Sequence, residues 1–193
     1  MNRIVYCPHC DTQQFVSLSE HKKYISHKCI EYKCRKTFLV PFKWKYVYLA
    51  RTFAVSDARY KYPWHVKTFF SGVLNFVDPG DYVNQDLIDH PEKIVSFNEN
   101  LIDKCDILVA YINQPSFGTL GELHYARHKK MPIYVINCNR VYLNDPWLKF
   151  IVDGLIECNE IPLYDDVDKC YQRIVNDTVK EYNLKNRGEK NYD

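Results

Sequence analysis

The stretch PSFGTLGELHYARHKK, residues 115–130, carries one carboxylate, Glu122, and two glycines, Gly118 and Gly121. Thr119 and Glu122 have the spacing of a capping box, in which a hydroxyl and a carboxylate three residues on bind the orphan amides of a first helical turn. That reading needs no function. A carboxylate in a first helical turn is also suited to chemistry: amide dipoles favour its ionised form, which can act as a nucleophile. Glycine is costly in a helix unless something must approach the backbone, so Gly118 and Gly121 favour the chemical reading.

A second set of residues points to metal. Cys7, Cys10, Cys29 and Cys34 form C-x2-C and C-x4-C pairs, the spacing of a zinc ribbon with two ligand knuckles. Four thiolates leave no open coordination position, so the expected Zn2+ is structural. His9 and His27 lie near these ligands; with four cysteines present, exposed loop histidines are the plainer reading. Cys105, Cys138, Cys158 and Cys170 show no pairing and read as small buried apolar side chains.

The elements that must hold these residues follow from the pattern along the chain. At 193 residues and 46% hydrophobic, the chain has material for one ordinary domain and a small appendage. Residues 1–42 hold too few apolar side chains to fold by burial alone, so bound metal must supply the missing stability. Residues 1–45 contain nine Lys or Arg against three acids, a net of +6, which leaves −4 for the remainder of a +2 chain. From residue 43 to 185, short apolar runs alternate with amphipathic stretches. WKYVYLA, GVLNFVDPG, CDILVAYI and MPIYVINC read as strands, and PEKIVSFNENLIDK, GTLGELHYARHKK, NDPWLKFIVDGL and DDVDKCYQRIVNDTVKEYNL as helices. Residues 186–193 read as a frayed tail. The order predicts an α/β fold: a flavodoxin- or Rossmann-like, mostly parallel sheet with helices on both faces, preceded by a small zinc ribbon. Such sheets bind ligands beyond the carboxyl ends of their strands, where the Glu122 segment falls. No run is long and apolar enough to span a bilayer, and a cytoplasmic location without membrane association is the expectation. Neither G-x-G-x-x-G nor a P-loop motif occurs, which removes dinucleotide and P-loop readings, and no organic cofactor is expected.

CDILVAYINQPSFGTLGELHYARHKKMPIYVI resembles the central motif of the nucleoside 2-deoxyribosyltransferases and the related 2′-deoxynucleoside 5′-phosphate N-hydrolases, and YVYLARTFA is similar to their first strand and sugar-binding turn. The resemblance covers about residues 44–157 and is most specific over 106–136. It implies an enzyme cleaving or transferring the N-glycosidic bond of a 2′-deoxyribonucleoside or its 5′-monophosphate. Glu122 would be the nucleophile at C1′, forming a glycosyl-enzyme ester, with the Tyr48 hydroxyl orienting it. Ser116, Gly118 and Thr119 would belong to the loop that closes on the sugar or its 5′ substituent. It also implies a homo-oligomer. One departure stands out: the family usually carries Asp eight positions before the strand residue Asp106, and this chain has Asn98, which cannot act as a general acid at neutral pH. Glu99 or Asp78 could take over that role, or protonation is arranged differently.

Other candidates have plain alternatives beside them. Arg51 could meet a 5′-phosphate or be a surface arginine; Asp78 could bond a sugar hydroxyl or only set the VDPGDY turn. Trp64 could stack on a base or be a packing aromatic. His124 and His128 have metal-pair spacing without a third ligand. A competing function is a non-catalytic nucleotide-sensing or nucleotide-binding module whose basic ribbon contacts nucleic acid or a protein partner.

Overall fold

In the computed structural model the residues described are 2–19, 21–51, 70, 72–82, 90–112, 114–138, 145–158 and 164–186. Trp64 and the tail beyond residue 186 lie outside them. The chain divides into two compact units, one of Met1–Lys45, His65–Asn75 and Tyr171–Asp193, the other of Tyr46–Trp64 and Phe76–Cys170.

The first unit contains two antiparallel hairpins. Strand β1 (Asn2–Tyr6) pairs with β2 (Gln13–Ser17), and β3 (Tyr24–Lys28) with β4 (Thr37–Pro41). Alternation in β2 buries Gln14 and Val16 and exposes Phe15, as one wetted face requires. Each cysteine pair sits in a tight turn. Asp11 (φ 55°) and Arg35 (φ 43°), the residues after Cys10 and Cys34, adopt the left-handed conformation, so their amides turn back to the Cys7 and Glu31 carbonyls at 2.9 Å each. A polar clamp ties β4 to the C-terminal end of the long helix that closes the chain. The Leu39 amide donates to Asn183 Oδ1 at 2.8 Å, and Asn183 Nδ2 donates to the Leu39 carbonyl at 2.7 Å. Tyr182 sits edge-on to Trp44 at 4.9 Å, and Lys180 meets Asp11 at 3.2 Å.

Among the described residues the α/β part has five strands: β5 (Lys45–Arg51), β6 (Leu74–Val77), β7 (Ile107–Ile112), β8 (Ile133–Cys138) and β9 (Gly154–Cys158), in the order β6-β5-β7-β8-β9. The β5/β7, β7/β8 and β8/β9 pairings are parallel. Counted within this sheet the order is 2-1-3-4-5, the flavodoxin-like doubly wound order. Helices α1 (Pro91–Ile102), α2 (Phe117–His128), α3 (Pro146–Ile151) and α4 (Tyr164–Lys185), with a single 3-10 turn at Pro79–Asp81, complete the described elements. The central strands are apolar on both faces because both are covered: Val47 to Ala50 and Leu108 to Ala110 are fully buried. Strand starts are pinned by acids. Tyr46 donates its amide to Asp106 Oδ2 at 2.8 Å, and Ile133 donates its amide to Asp153 Oδ2 at 2.8 Å.

One element differs from the sequence expectation. NDPWLKFIVDGL does not run as one helix: α3 stops at Ile151, Val152 is extended, and Gly154 begins edge strand β9. Its Asp145 cap and Pro146 set the start well, but the short apolar GLIEC run has no helical period to oppose sheet pairing.

Candidate active site

Strand β5 carries Tyr48, whose side chain is buried in the core with Ala50, Leu123 and Ala126. Helix α2 follows the carboxyl end of β7, and α1 precedes its start, so three elements meet beside the β5/β7 switch point where doubly wound sheets bind ligands. On α2, Thr119, Leu123 and Ala126 form the buried stripe. Glu122, three residues from Thr119 and four from Ala126, shares that side of the helix. Its carboxylate is half-buried. The Tyr48 hydroxyl donates to Glu122 Oε1 at 2.8 Å, and Asn98 Nδ2 donates to the same oxygen at 2.9 Å.

The cap is made by Ser116, not by a Thr119–Glu122 box. Ser116 has extended backbone and its Oγ accepts from the Thr119 amide at 3.2 Å. With Phe117 as the first helical residue, Glu122 stands in the second turn. The expectation that first-turn amide dipoles hold its pKa down is therefore overturned. Burial pushes the Glu122 carboxyl from 4.5 up to about 7, against the lowering effect of the bonds from Tyr48 and Asn98. Tyr48 is itself pushed far above 10, first by burial and then by the Glu122 charge and hydrogen bond, so it remains a hydroxyl donor. With Oε1 engaged by two donors, Oε2 is the oxygen left to act on a ligand.

Two further polar atoms are buried around this carboxylate without a partner among the described residues: Asn98 Oδ1 and Thr119 Oγ1. Gly118 and Gly121 are exposed, and neither is required by protein packing. A Cβ on Gly121 would meet nothing within 4 Å, and one on Gly118 only the Ser116 Oγ at 3.9 Å. Arg51 and Asp78, at the ends of β5 and β6, face each other at 3.3 Å, and Asp78 Oδ1 also accepts from the Gly80 amide at 2.9 Å. Both contacts hold Asp78 as an acceptor. Glu99 is one residue beyond Asn98 and so points about 100° away around α1. A hollow of about 340 Å3 lined by Leu120, His124, Trp147, Leu148 and Ile151 lies elsewhere. Leu120 and His124 are two residues from Glu122, about 160° around the helix, so this hollow is on the other side of α2 from the carboxylate.

In the ribbon, the sulfurs of Cys7, Cys10, Cys29 and Cys34 all lie within 4.8 Å of one another, with Cys7–Cys34 at 3.8 Å and Cys10–Cys29 at 3.6 Å. Tetrahedral thiolate ligation at about 2.3 Å requires sulfur separations near 3.8 Å, so the set fits one metal ion. Sequence reading missed Gln14, which resembles any strand glutamine. It is buried, donates to Cys29 Sγ at 3.2 Å, and accepts from the Ile30 amide at 3.2 Å. His27 Nε2 lies 3.0 Å from Gln14 Oε1, which occupies it away from the sulfurs. His124 packs near Trp147, and no metal-ligating cluster other than the four cysteines occurs among the described residues. Of the four cysteines outside the ribbon, Cys170 is buried and Cys105 half-buried, while the side chains of Cys138 and Cys158 lie outside the described set.

No protein-family model and no curated protein matches the chain. Solved structures with a similar chain path include a CMP N-glycosidase, BcmB, from Clostridium botulinum (17% identity, TM-score 0.44, covering 67% of this chain and 97% of that one). A conserved protein from Enterococcus faecalis is also similar (13% identity, TM-score 0.49, 67% and 98% covered). So is the flavoenzyme NAD(P)H:(acceptor) oxidoreductase FerB from Paracoccus denitrificans (16% identity, TM-score 0.41, 73% and 98%). Likenesses this distant assign no activity, and the chemistry must be argued from the side chains. No helix among the described residues is long and apolar enough to cross a membrane.

Proposed function

We propose that the protein cleaves or transfers the N-glycosidic bond of a 2′-deoxyribonucleoside or its 5′-monophosphate, with Glu122 as nucleophile. The observation that carries this is the Glu122 carboxylate held at one oxygen by Tyr48 and Asn98 beside the switch point. Oε2 attacks C1′, the C–N bond breaks with its electron pair leaving on the base, which takes a proton from water, and the ester is then opened by water, which gives its proton back to solvent, or by the nitrogen of a second base, which likewise loses its proton. The Tyr48 and Asn98 donors fix the carboxylate's orientation, so little rearrangement is needed on attack. Arg51, Asp78, Ser116, Gly118 and Thr119 are assigned to substrate binding. The unpartnered Thr119 Oγ1 and Asn98 Oδ1 offer hydrogen bonds to sugar hydroxyls, and the glycines leave the start of α2 open to a 5′ substituent. A carboxyl fixed at one oxygen by two neutral donors, with the other oxygen left for a ligand and its charge disfavoured by burial, suits nucleophilic attack, and this favours catalysis over sensing.

The four ribbon cysteines are assigned to one Zn2+, for which an all-thiolate tetrahedral set is suited and which supplies folding energy rather than reactivity. A homo-oligomer completes the proposal and is measured by light scattering. The deciding experiment incubates the protein with deoxynucleosides and deoxynucleotides, with and without an acceptor base, and follows free and exchanged base by chromatography. Release or exchange is expected, and Glu122→Ala should reduce it by roughly a thousandfold or more. No turnover of any of these substrates, or an undiminished Glu122→Ala rate, would refute the assignment.

A further inference from the structure

We propose that the second cysteine knuckle of the ribbon, residues 28–36, is a docking surface for a single-stranded polynucleotide, with Tyr32 as a stacking platform and Lys28, Lys33, Arg35 and Lys36 as phosphate contacts. This inference is independent of the activity assigned to Glu122.

The two knuckles have the same structural task and very different surfaces. The first, CPHCDT, has no lysine or arginine, and its Asp11 is paired with Lys180 at 3.2 Å. The second, KCIEYKCRK, has four cations against Glu31, a net of 4 − 1 = +3 in nine residues. All four cationic side chains are exposed, while Glu31 is half-buried and spends its Oε1 on the Lys33 amide of its own turn at 3.4 Å. Among the described residues none of the four cations forms an ion pair. Lys45 and Lys180 of the same compact unit, by contrast, both meet acids.

Metal ligation accounts for Cys29, Cys34 and the turn between them. It does not account for Tyr32, 69% exposed, or Ile30, also 69% exposed, on the loop between the ligands. An exposed ring flanked by cations, with Lys33 Nζ 5.9 Å from its centroid, is the combination that binds bases by stacking and phosphates by charge. An acidic peptide would use the cations and leave the ring idle. A duplex would offer no unstacked base, and the ribbon hairpins carry no helix to enter a groove. A single strand uses every exposed feature of the loop, and the phosphate chemistry is common to DNA and RNA.

The test uses the full-length, metal-loaded protein and fluorescence anisotropy with labelled oligo-dT, oligo-U and a mixed-sequence duplex over a range of salt concentrations. Binding to the single strands is expected, with a log Kd against log salt slope of roughly 2 to 3, as about four phosphate contacts give. Tyr32→Ala should weaken it about 5- to 50-fold and Tyr32→Phe should not. Lys33→Glu with Arg35→Glu should abolish it at moderate salt, while metal content, checked for each variant, stays unchanged. No binding at low salt, indifference to both sets of substitutions, equal affinity for the duplex, or displacement by polyglutamate as readily as by unlabelled oligonucleotide would each overturn the proposal. A preference between oligo-dT and oligo-U identifies which polynucleotide the surface selects.

Discussion

At the scale of single residues, Glu122 is held by two neutral donors, Tyr48 from β5 and Asn98 from α1, with no cation bonded to it among the described residues. Cys105, itself pushed up to about 12 by burial and then by Asp106, and Asp78 both bear on Tyr48 rather than supplying positive charge. The carboxyl pKa near 7 exceeds its unfolded value of 4.5, so between those pH values the native state keeps a proton that the unfolded chain releases. Stability therefore falls as pH rises through that window, and the loss is complete above about 7. Glu122→Gln keeps an acceptor for both donors without the charge. It should match the wild type below about pH 4.5 and exceed it at pH 8 by at most about 3 kcal/mol in urea unfolding. The same ionisation makes kcat/KM rise through about 7 to a plateau, because only the carboxylate attacks. Asn98→Asp would place a second carboxyl where the amide now stands 2.9 Å away. The pair should then titrate in two steps, the charge of the first carboxyl to ionise raising the pKa of the second, and kcat/KM should gain a descending limb as that second carboxyl ionises, which a pH–rate profile reads directly.

At the scale of elements, α2 serves two ends at once. Ser116 caps it, its buried stripe packs on the sheet, and the same stripe aims Glu122 at Tyr48. Gly121 interrupts the helix at an exposed position with helical φ and open space around its Cα. Gly121→Ala should stabilise α2 by roughly 0.5–1 kcal/mol, since nothing in the protein opposes the methyl group. If the sugar or its phosphate approaches there, KM should rise several-fold in the same variant while Tm rises, a split that a purely structural glycine would not produce. The element most visible in the sequence was α2 itself; its first residue was not. Ser116 and Thr119 are both good caps, and only the loop leaving β7 selects Ser116, which moves Glu122 from the first turn to the second. Similarly, β9 was hidden because five residues beside a helix carry little period of their own, and pairing with β8 decides them.

At the scale of the whole molecule, the ribbon unit depends on ligands that are scattered in sequence and gathered by two hairpins. Removing the metal leaves four thiols within 4.8 Å of one another with few apolar side chains to hold them. Chelation should therefore expose four thiols to a colorimetric reagent and remove an unfolding transition from the thermal scan. Cys34→Ser should lower metal occupancy in elemental analysis without any added chelator. The Asn183 clamp on Leu39 and the Tyr182–Trp44 contact give this unit a buttress beyond its own hairpins. The polynucleotide surface proposed on the second knuckle should be lost with the metal.

The sequence alone determined the alternation of apolar runs and amphipathic stretches, hence an α/β sheet, and the cysteine spacing, hence a metal-sized cluster. Resemblance to a family pointed to Glu122 and set Tyr48 beside it, although 74 residues of chain separate the two, and marked Asn98 only as a departure from the family's Asp. Tertiary structure decided what those residues are to one another. The strand order brings β5 beside β7, the stripe on α2 turns the carboxylate inward, and burial outweighs hydrogen bonding in setting its pKa. Local sequence encodes period and capping, which are short-range preferences. The desolvation that tunes a carboxylate comes from atoms distant along the chain, and it exists only once they have packed.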